Sequence, residues 1–392
     1  MTDTTPVVEP FPVWSLLPKK ETQRDAFLTK FPTYDGRGVV LAVFDSGIDL
    51  GAPGLQVTSD GKPKIIEVMD ATGAGDVDTS TVVKIDPETK TITGVTGRKL
   101  TVPDNWSCPT GDFHIGVKNA YELYPKPLRD RMAKEYTEKN VTPGQQQALA
   151  KALLNMNKFK QRTESNQNGL SPDEKLEKEE AQAVIDSLKG LDKRLSDLGP
   201  TYDCVLFHDG TTWRAAVDTT TTGDLSQAKL LGPYSETHEY TKLTERCNLN
   251  YAVNVHDDGN LLEIVGISTA HATHVAAIAA ANFPNDPEKN GVAPGAQLIS
   301  ITLGDSRLGS MEIGPALIRA AHRMAKGDVD IINMSYGEHS HFTGGRVIEA
   351  LQDVVNKYGV VFMVSAGNAG PALSTFGKWS FPIFCEVINV TI

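Results

Sequence analysis

Between residues 298 and 365 the sequence alternates between short apolar runs and longer stretches with helical periodicity. The short runs are rich in Ile, Val and Leu and have the length of buried strands. In the longer stretches apolar side chains recur every three or four positions, as in helices with one buried face. This alternation predicts an α/β fold with a parallel sheet covered by helices on both faces. The predicted strands are 298–303, 329–334 and 360–364, and the predicted helices are 312–326 and 346–357.

Three polar residues stand where such a fold gathers its functional groups. An earlier apolar run, residues 38–44, predicts a buried strand that Asp45 follows directly, and Asn368 comes shortly after a later strand. His271 opens an alanine-rich segment, residues 271–281, for which a helix is predicted. Because the carboxyl ends of parallel strands lie at one edge of a sheet, we expect Asp45, His271 and Asn368 to meet there.

The 226 positions between Asp45 and His271 exceed what two core strands need, so part of this stretch is an insertion. Residues 121–198 are rich in Lys, Glu, Gln and Ala, which predicts two or three helices with breaks at 143–144 and 166–172. No motif in the insertion is assignable to chemistry. A solvated helical module is the favoured interpretation, and a role in subunit contacts is the alternative.

The remainder of the insertion predicts a β-hairpin formed by residues 204–207 and 213–217. The chain is thereby divided into four predicted parts. These are residues 1–120 with Asp45, the insertion 121–245, residues 246–377 with His271 and Asn368, and a tail, 378–392.

Net charge, cysteine spacing and the first residues of the chain argue against several classes of protein. The net charge of −11 argues against a nucleic-acid or anionic-membrane partner, and no apolar run is long enough to span a bilayer. The four cysteines have neither metal-ligand spacing nor a dense disulfide pattern. Residues 1–14 lack the basic and apolar segments of a secretory signal. A cytoplasmic protein without a metal or cofactor is therefore expected.

Asp45, His271 and Asn368 are the residue types that acyl transfer by a serine requires beside the nucleophile. A histidine takes the proton of the serine, a buried carboxylate orients and stabilises that histidine, and an amide donor holds the oxyanion. Singly, each has an ordinary explanation as a turn cap, a structural histidine or a loop asparagine. Their order and local context together favour the catalytic interpretation. His274, on the same predicted helix, is expected to be packed rather than catalytic.

Several motifs surround these candidates. They are Val-Phe-Asp-Ser-Gly-Ile at 43–48, His-Ala-Thr-His-Val at 271–275, Gly-Val-Ala-Pro-Gly-Ala at 291–296, Asn-Met-Ser-Tyr-Gly-Glu at 333–338 and Val-Ser-Ala-Gly-Asn-Ala-Gly-Pro at 364–371. Together they resemble the subtilase superfamily of serine peptidases and, within it, the tripeptidyl-peptidase II family. The resemblance runs from about residue 11 to residue 377. It implies a subtilisin-like fold, a large cytosolic homo-oligomer, and removal of tripeptides from the free N-termini of oligopeptides.

A peptidase that measures three residues needs an anionic group for the α-ammonium of its substrate. This group must lie about 10 Å from the nucleophile, because an extended residue spans roughly 3.4 Å. The resemblance assigns this role to Glu312 and Glu338, and assigns main-chain pairing with the extended substrate to Ser335, Tyr336 and Gly337. From the residues alone, a first-turn helical glutamate and a solvated loop carboxylate are the simpler explanations.

The sequence departs from that family at three places. Ala272 stands where the family has a glycine, and its methyl group is expected to crowd the catalytic histidine. Ile313 replaces a small polar residue after Glu312, which is expected to alter the pocket for the substrate's amino terminus. No serine in a Gly-Thr-Ser-Met-Ala type of turn follows Asn368, and residues 378–392 have no family character.

The absent serine leaves three functional hypotheses. The first is a portion of a tripeptidyl aminopeptidase that is inactive alone, with a sheet incomplete at its C-terminal end and a tail translated from an intron. The second is a truncated, non-catalytic isoform that binds peptides or acts in assembly or regulation. The third is an unrelated α/β binding module that shares the motifs.

Overall fold

The computed structural model describes residues 19, 21–164, 169–191, 197–244, 247–337, 345–365 and 367–368. Residues Lys126–Pro200 form one compact unit, here called the helical unit, and the described residues before and after it form another, the sheet unit. The helices are α1 (Arg24–Lys30), α2 (Ala120–Leu123), α3 (Lys126–Tyr136), α4 (Thr142–Thr163), α5 (Pro172–Lys189), α6 (Tyr234–Thr237), α7 (His271–Ala280), α8 (Gly314–Met324) and α9 (Arg346–Tyr358). The strands are β1 (Val40–Asp45), β2 (Ile65–Asp70), β3 (Asp76–Asp78), β4 (Thr81–Lys84), β5 (Thr91–Thr93), β6 (Lys99–Thr101), β7 (Asp112–Asn119), β8 (Thr201–His208), β9 (Trp213–Val217), β10 (Thr241–Thr244), β11 (Cys247–His256), β12 (Leu261–Val265), β13 (Gln297–Thr302), β14 (Gly304–Asp305), β15 (Met311–Glu312), β16 (Ile331–Met334) and β17 (Val361–Val364).

A parallel sheet in the order β17-β16-β1-β13-β2 forms the centre of the sheet unit. Its central strand β1 pairs with β13 on one side and β16 on the other, so that Phe44 lies between Ile301 and Met334. The strands and helices predicted between 298 and 365 are confirmed, with ends that shift by about two residues, as is usual for element boundaries.

Helices cover both faces of this sheet. Ala42 and Phe44 on one face of β1 belong to an apolar cluster with side chains of α8 and α9. Val43 on the opposite face belongs to a second cluster with the alanines of α7. Because successive strand side chains point to opposite faces, an apolar run such as β1 must be covered twice. The predicted α/β class, with a parallel sheet covered by helices on both faces, is confirmed.

Smaller antiparallel sheets flank the parallel one. One has the order β10-β11-β12-β3 and another the order β4-β7-β8-β9. The predicted hairpin is confirmed as β8 and β9, which pair antiparallel. Strand β8 also pairs with β7, and there Asn119 lies opposite Thr201. The chain on either side of the helical unit is therefore held in one sheet.

The helical unit consists of α3, α4 and α5. Ser171 begins α5 with a capping box, in which its side chain and that of Glu174 each bind the other's backbone N–H. The break predicted at residues 143–144 lies within about two residues of the boundary at which α4 begins, and Pro143 lies in the first turn of that helix. Across all the described residues, no helix is both long and apolar enough to cross a membrane.

Candidate active site

Asp45 ends the central strand and has no exposed surface. Its backbone carbonyl accepts a hydrogen bond from the backbone N–H of Leu303 at 2.6 Å, and the backbone N–H of Ser46 donates to its Oδ1 at 2.7 Å. The apolar strand β1 thus places the Asp45 carboxylate at the carboxyl edge of the sheet, buried below the protein surface.

His271, the first residue of α7, contacts this carboxylate directly. Its Nδ1 lies 2.9 Å from both Oδ1 and Oδ2 of Asp45, although 226 positions separate the two residues. About half of the His271 side chain is exposed, whereas that of Asp45 is fully covered. Since Nδ1–H donates to the carboxylate, Nε2 carries the free lone pair of a base. The predicted meeting of Asp45 and His271 is thus found in the structure.

The environment of Asp45 suits an orienting carboxylate. Burial raises the pKa of the Asp45 carboxyl above its ordinary value, and the hydrogen bonds from His271 and Ser46 oppose that rise. A buried carboxylate that accepts a hydrogen bond from Nδ1–H of an imidazole holds a single tautomer and stabilises the imidazolium that forms when Nε2 takes a proton.

The Ser-Gly pair after Asp45 connects the loop after β1 to the segment that leads into α7, a role that the sequence motifs did not indicate. Ser46 Oγ donates to the backbone carbonyl of Thr269 at 3.1 Å and accepts from the backbone N–H of Ala272 at 3.1 Å. Gly47 has φ of 88°, and a Cβ there would lie 2.6 Å from the carbonyl oxygen of Gly266. The Asp-Ser-Gly triplet was the available signal, since a glycine after a strand marks a close backbone approach.

Two expectations about α7 are corrected. Ala272 is fully buried among apolar side chains while both contacts between His271 and Asp45 stay at 2.9 Å, so the expected crowding is not seen. His274 is exposed rather than packed. It lies three positions after His271 and therefore on the same side of the helix.

The predicted substrate-binding residues lie on neighbouring segments of the sheet unit. Glu312 is half-buried on β15, opposite Gly304 of β14. Ser335, Tyr336 and Gly337 follow β16, and Ser335 Oγ accepts a hydrogen bond from Asn333 Nδ2 at 3.0 Å. The ring of Tyr336 stands edge-on to that of His271, with 6.5 Å between centroids. The segment expected to pair with the substrate therefore lies beside His271.

Asn368 is exposed and follows β17, at the same edge of the sheet as Asp45. Glu338 and residues 378–392 lie outside the described residues. No group of three or more His, Cys, Asp or Glu side chains in the described part of the chain is arranged to hold a metal ion.

The parallel sheet and the pairing of His271 with Asp45 at its carboxyl edge are typical of the subtilisin-like class of proteins. Residues 36–382 match the model of the Subtilase family, and the chain belongs to that family. It is similar to Tripeptidyl-peptidase 2 of Caenorhabditis elegans, with 44% identity over 92% of this chain and 26% of that protein. The corresponding protein of Arabidopsis thaliana is 44% identical over 93% of this chain and 26% of its own length.

A solved structure gives the same result. The crystal structure of Tripeptidyl Peptidase 2 (TPP II) superposes with a TM-score of 0.68 and 37% identity, covering 90% of this chain and 28% of that one. The chain thus spans about a quarter of the length of the relatives it matches.

Proposed function

We propose that this protein is a serine-type tripeptidyl aminopeptidase that releases tripeptides from the free N-termini of oligopeptides. We further propose that it works in the cytoplasm as a large homo-oligomer. The observation that carries the proposal is the contact of His271 Nδ1 with the buried Asp45, in a histidine whose side chain is about half exposed. The resemblance to Tripeptidyl-peptidase 2 supports the choice of substrate.

In the proposed reaction His271 is the general base. Its Nε2 takes the proton of a serine hydroxyl as that oxygen attacks the carbonyl carbon of the third peptide bond. Asp45 stabilises the resulting imidazolium, which then gives the proton to the leaving amine. Water repeats the sequence on the acyl-enzyme and releases the tripeptide as a carboxylate.

Asn368 and Glu312 have complementary electrostatic roles in this proposal. The amide of Asn368 donates to the oxyanion of the tetrahedral intermediate, where a single donor is worth about 10²- to 10³-fold in rate. Glu312, with Glu338, binds the α-ammonium of the substrate and stops it three residues from the cleaved bond. Ser335, Tyr336 and Gly337 pair with the extended substrate through their main chain.

The serine nucleophile is the part of the reaction for which this sequence contains no matching turn. The test therefore uses a chimera in which this chain replaces the matching region of the Caenorhabditis elegans relative. The substrates are a tripeptide with a fluorogenic leaving group and the same tripeptide with an acetylated amino terminus. We expect hydrolysis of the free form, and its loss in the variant His271→Ala.

Substrate recognition is tested in the same chimera. Glu312→Gln keeps the shape of the side chain and removes its charge, so the preference for the free over the acetylated substrate should fall roughly 10-fold or more. Glu349→Gln on the exposed face of α9 is the matched control and should leave the preference unchanged. Equal hydrolysis of both substrates by the unmodified chimera would contradict an aminopeptidase.

A non-catalytic, peptide-binding protein is the second candidate. The two are separated by exposing the 392-residue chain itself to a fluorophosphonate probe and to oligopeptides. Peptide binding without labelling, together with an inactive chimera, would favour the second candidate.

A further inference from the structure

Hydroxyl groups from separate chain segments meet beside His271. Ser310 Oγ lies 2.8 Å from Ser268 Oγ and 2.7 Å from Tyr336 Oη. Tyr336 Oη also donates to the backbone carbonyl of Ser310 at 3.1 Å. The backbone N–H of Ser268 donates to the carbonyl of Ser46 at 2.8 Å. The hydroxyl cluster, Ser268, Ser310 and Tyr336, thus connects the loop after Asp45 to the segment that follows β16.

One set of donors satisfies every member of this cluster. Tyr336 donates to the Ser310 carbonyl, Ser310 Oγ donates to Tyr336 Oη, and Ser268 Oγ donates to Ser310 Oγ. Networks in which each hydroxyl is satisfied hold their segments in one arrangement.

Gly304 lies where the cluster converges. A Cβ at this position would be 2.4 Å from Ser310 Oγ, 2.6 Å from Tyr336 Oη and 2.8 Å from Ser268 Oγ. All three distances are too short for a carbon atom, so the three hydroxyls can come together only if position 304 is a glycine. Glu312 is the β-ladder partner of this glycine, and the cluster therefore sits at the base of the strand that carries Glu312.

The backbone of Ser310 supports the same interpretation. Its φ of 71° lies in the left-handed region, which few residues other than glycine adopt without a compensating contact. Its hydroxyl and carbonyl both bind cluster members. These contacts hold the turn that leads from β14 into β15, and with it the position of Glu312.

Tyr336 lies between the two charged parts of the site. Its ring stands nearly perpendicular to that of His271, with 6.5 Å between the centroids. Burial raises the pKa of its hydroxyl, and the nearby charges of Asp45 and Glu312 contribute to the rise. The tyrosine is therefore close to both the acid–base pair and the carboxylate assigned to the substrate's amino terminus.

We propose that the hydroxyl cluster fixes the distance between Glu312 and His271 and thereby selects peptides by the position of their free amino terminus. Ser268, Ser310 and Tyr336 are positioning residues in this scheme, because they act through Glu312 and His271 without reacting. The inference rests on the proposed aminopeptidase function. It adds that the hydroxyl cluster determines how many residues separate the substrate's amino terminus from the cleaved bond.

The test measures binding to the full 392-residue chain by NMR titration. The probes are tetraalanine amide with a free amino terminus and the same peptide acetylated. The unmodified chain should prefer the free form. Tyr336→Phe and Ser310→Ala should each reduce this preference roughly fivefold, the effect of one lost hydrogen bond, with the affinity for the acetylated peptide unchanged.

Tyr124→Phe is the matched control. Tyr124 Oη lies 2.6 Å from Tyr202 Oη, so this variant also removes one hydroxyl from a buried pair, outside the site. It should leave the preference unchanged. If both cluster variants keep the full preference, the positioning role is overturned while the aminopeptidase proposal stands. If the unmodified chain shows no preference for the free amine, both proposals are overturned.

Discussion

The sheet unit and the helical unit bury their apolar side chains to different extents. In the sheet unit two apolar clusters cover the faces of the parallel sheet, and Phe44, Ile299 and Leu351 have no exposed surface. Among its described residues the helical unit has a small buried cluster formed by Met156, Phe159 and Ile185.

The unit with the larger apolar core is the one that contains the candidate active site. Asp45 ends a strand that is covered on both faces, and His271 begins a helix that packs on one of those faces, as a preorganised acid–base pair requires. The helical unit has a core too small to make a large contribution to stability. We therefore expect changes in the sheet unit to affect activity and global stability, and changes in the helical unit to have local effects.

The largest expected effect is on the acid–base pair. In the chimera with the Caenorhabditis elegans relative, Asp45→Asn should lower kcat by about 10⁴-fold, because an asparagine favours the wrong tautomer of His271. Steady-state kinetics with the fluorogenic tripeptide measures this, and circular dichroism should show an unchanged fold. A loss smaller than about tenfold would mean that Asp45 does not orient the histidine.

The next effect is in the small core of the helical unit. Phe159→Ala removes one of its buried side chains, at an expected cost of about 3–5 kcal/mol. A unit with so few buried contacts should then lose its helices, which hydrogen exchange would detect as lost protection in α4 and α5, with β1 and β13 still protected. Leu154→Ala on the same helix, at an exposed position, is the matched control and should change little. Equal loss of protection in both units would contradict their independence.

A third prediction compares charge pairs in the two units. Asp35 is buried and accepts from Arg37 Nε at 2.9 Å and Nη2 at 3.0 Å. The hydrogen bond from Arg37 lowers the pKa of Asp35 from 3.8 to about 2. Because the folded-state pKa is depressed, the ionised carboxylate stabilises the fold above about pH 4, and this contribution is lost as the pH falls toward 2.

Asp35→Asn should therefore reduce the free energy of unfolding by about 1–3 kcal/mol at pH 7, with the difference shrinking between about pH 4 and pH 2. Glu177→Gln is the control in the helical unit, where Glu177 pairs with Arg162 and both side chains are more than half exposed. It should have almost no effect at any pH. Denaturant titrations across this pH range measure both variants, and a constant difference for Asp35→Asn would exclude the proposed linkage.

Hydrophobic periodicity was sufficient to predict the parallel sheet, because strands such as β1 and helices such as α9 carry their burial pattern locally. The contact of Asp45 with His271 was predictable as well, because functional residues of such a fold gather at the carboxyl edge of the parallel sheet. The hydroxyl cluster was not predictable in this way, since Ser268, Ser310 and Tyr336 have no local pattern that marks them as neighbours. The exact start of α4 was not predictable, because a proline just before a helix and a proline in its first turn give the same local signal.

The smallest expected effect comes from removing the helical unit. This experiment also tests where the helical unit begins and ends. Asn119 and Thr201 are paired across β7 and β8, and the hydroxyls of Tyr124 and Tyr202 are in contact. The chain just before residue 126 is therefore held next to the chain just after residue 200. We propose that residues 126–200 are the removable module. Replacing them with a short Gly-Ser linker should shift the unfolding midpoint of the sheet unit by less than about 2 °C.

The comparison is an excision of residues 121–245, the boundaries expected from the sequence. That change removes β8, β9 and β10 together with Tyr124, which has no exposed surface. It should leave β7 paired with β4 but without β8, and prevent cooperative unfolding. Differential scanning calorimetry of the two excisions distinguishes the boundaries, and an unfolded product from the shorter excision would show that the helical unit supports the sheet around Asp45.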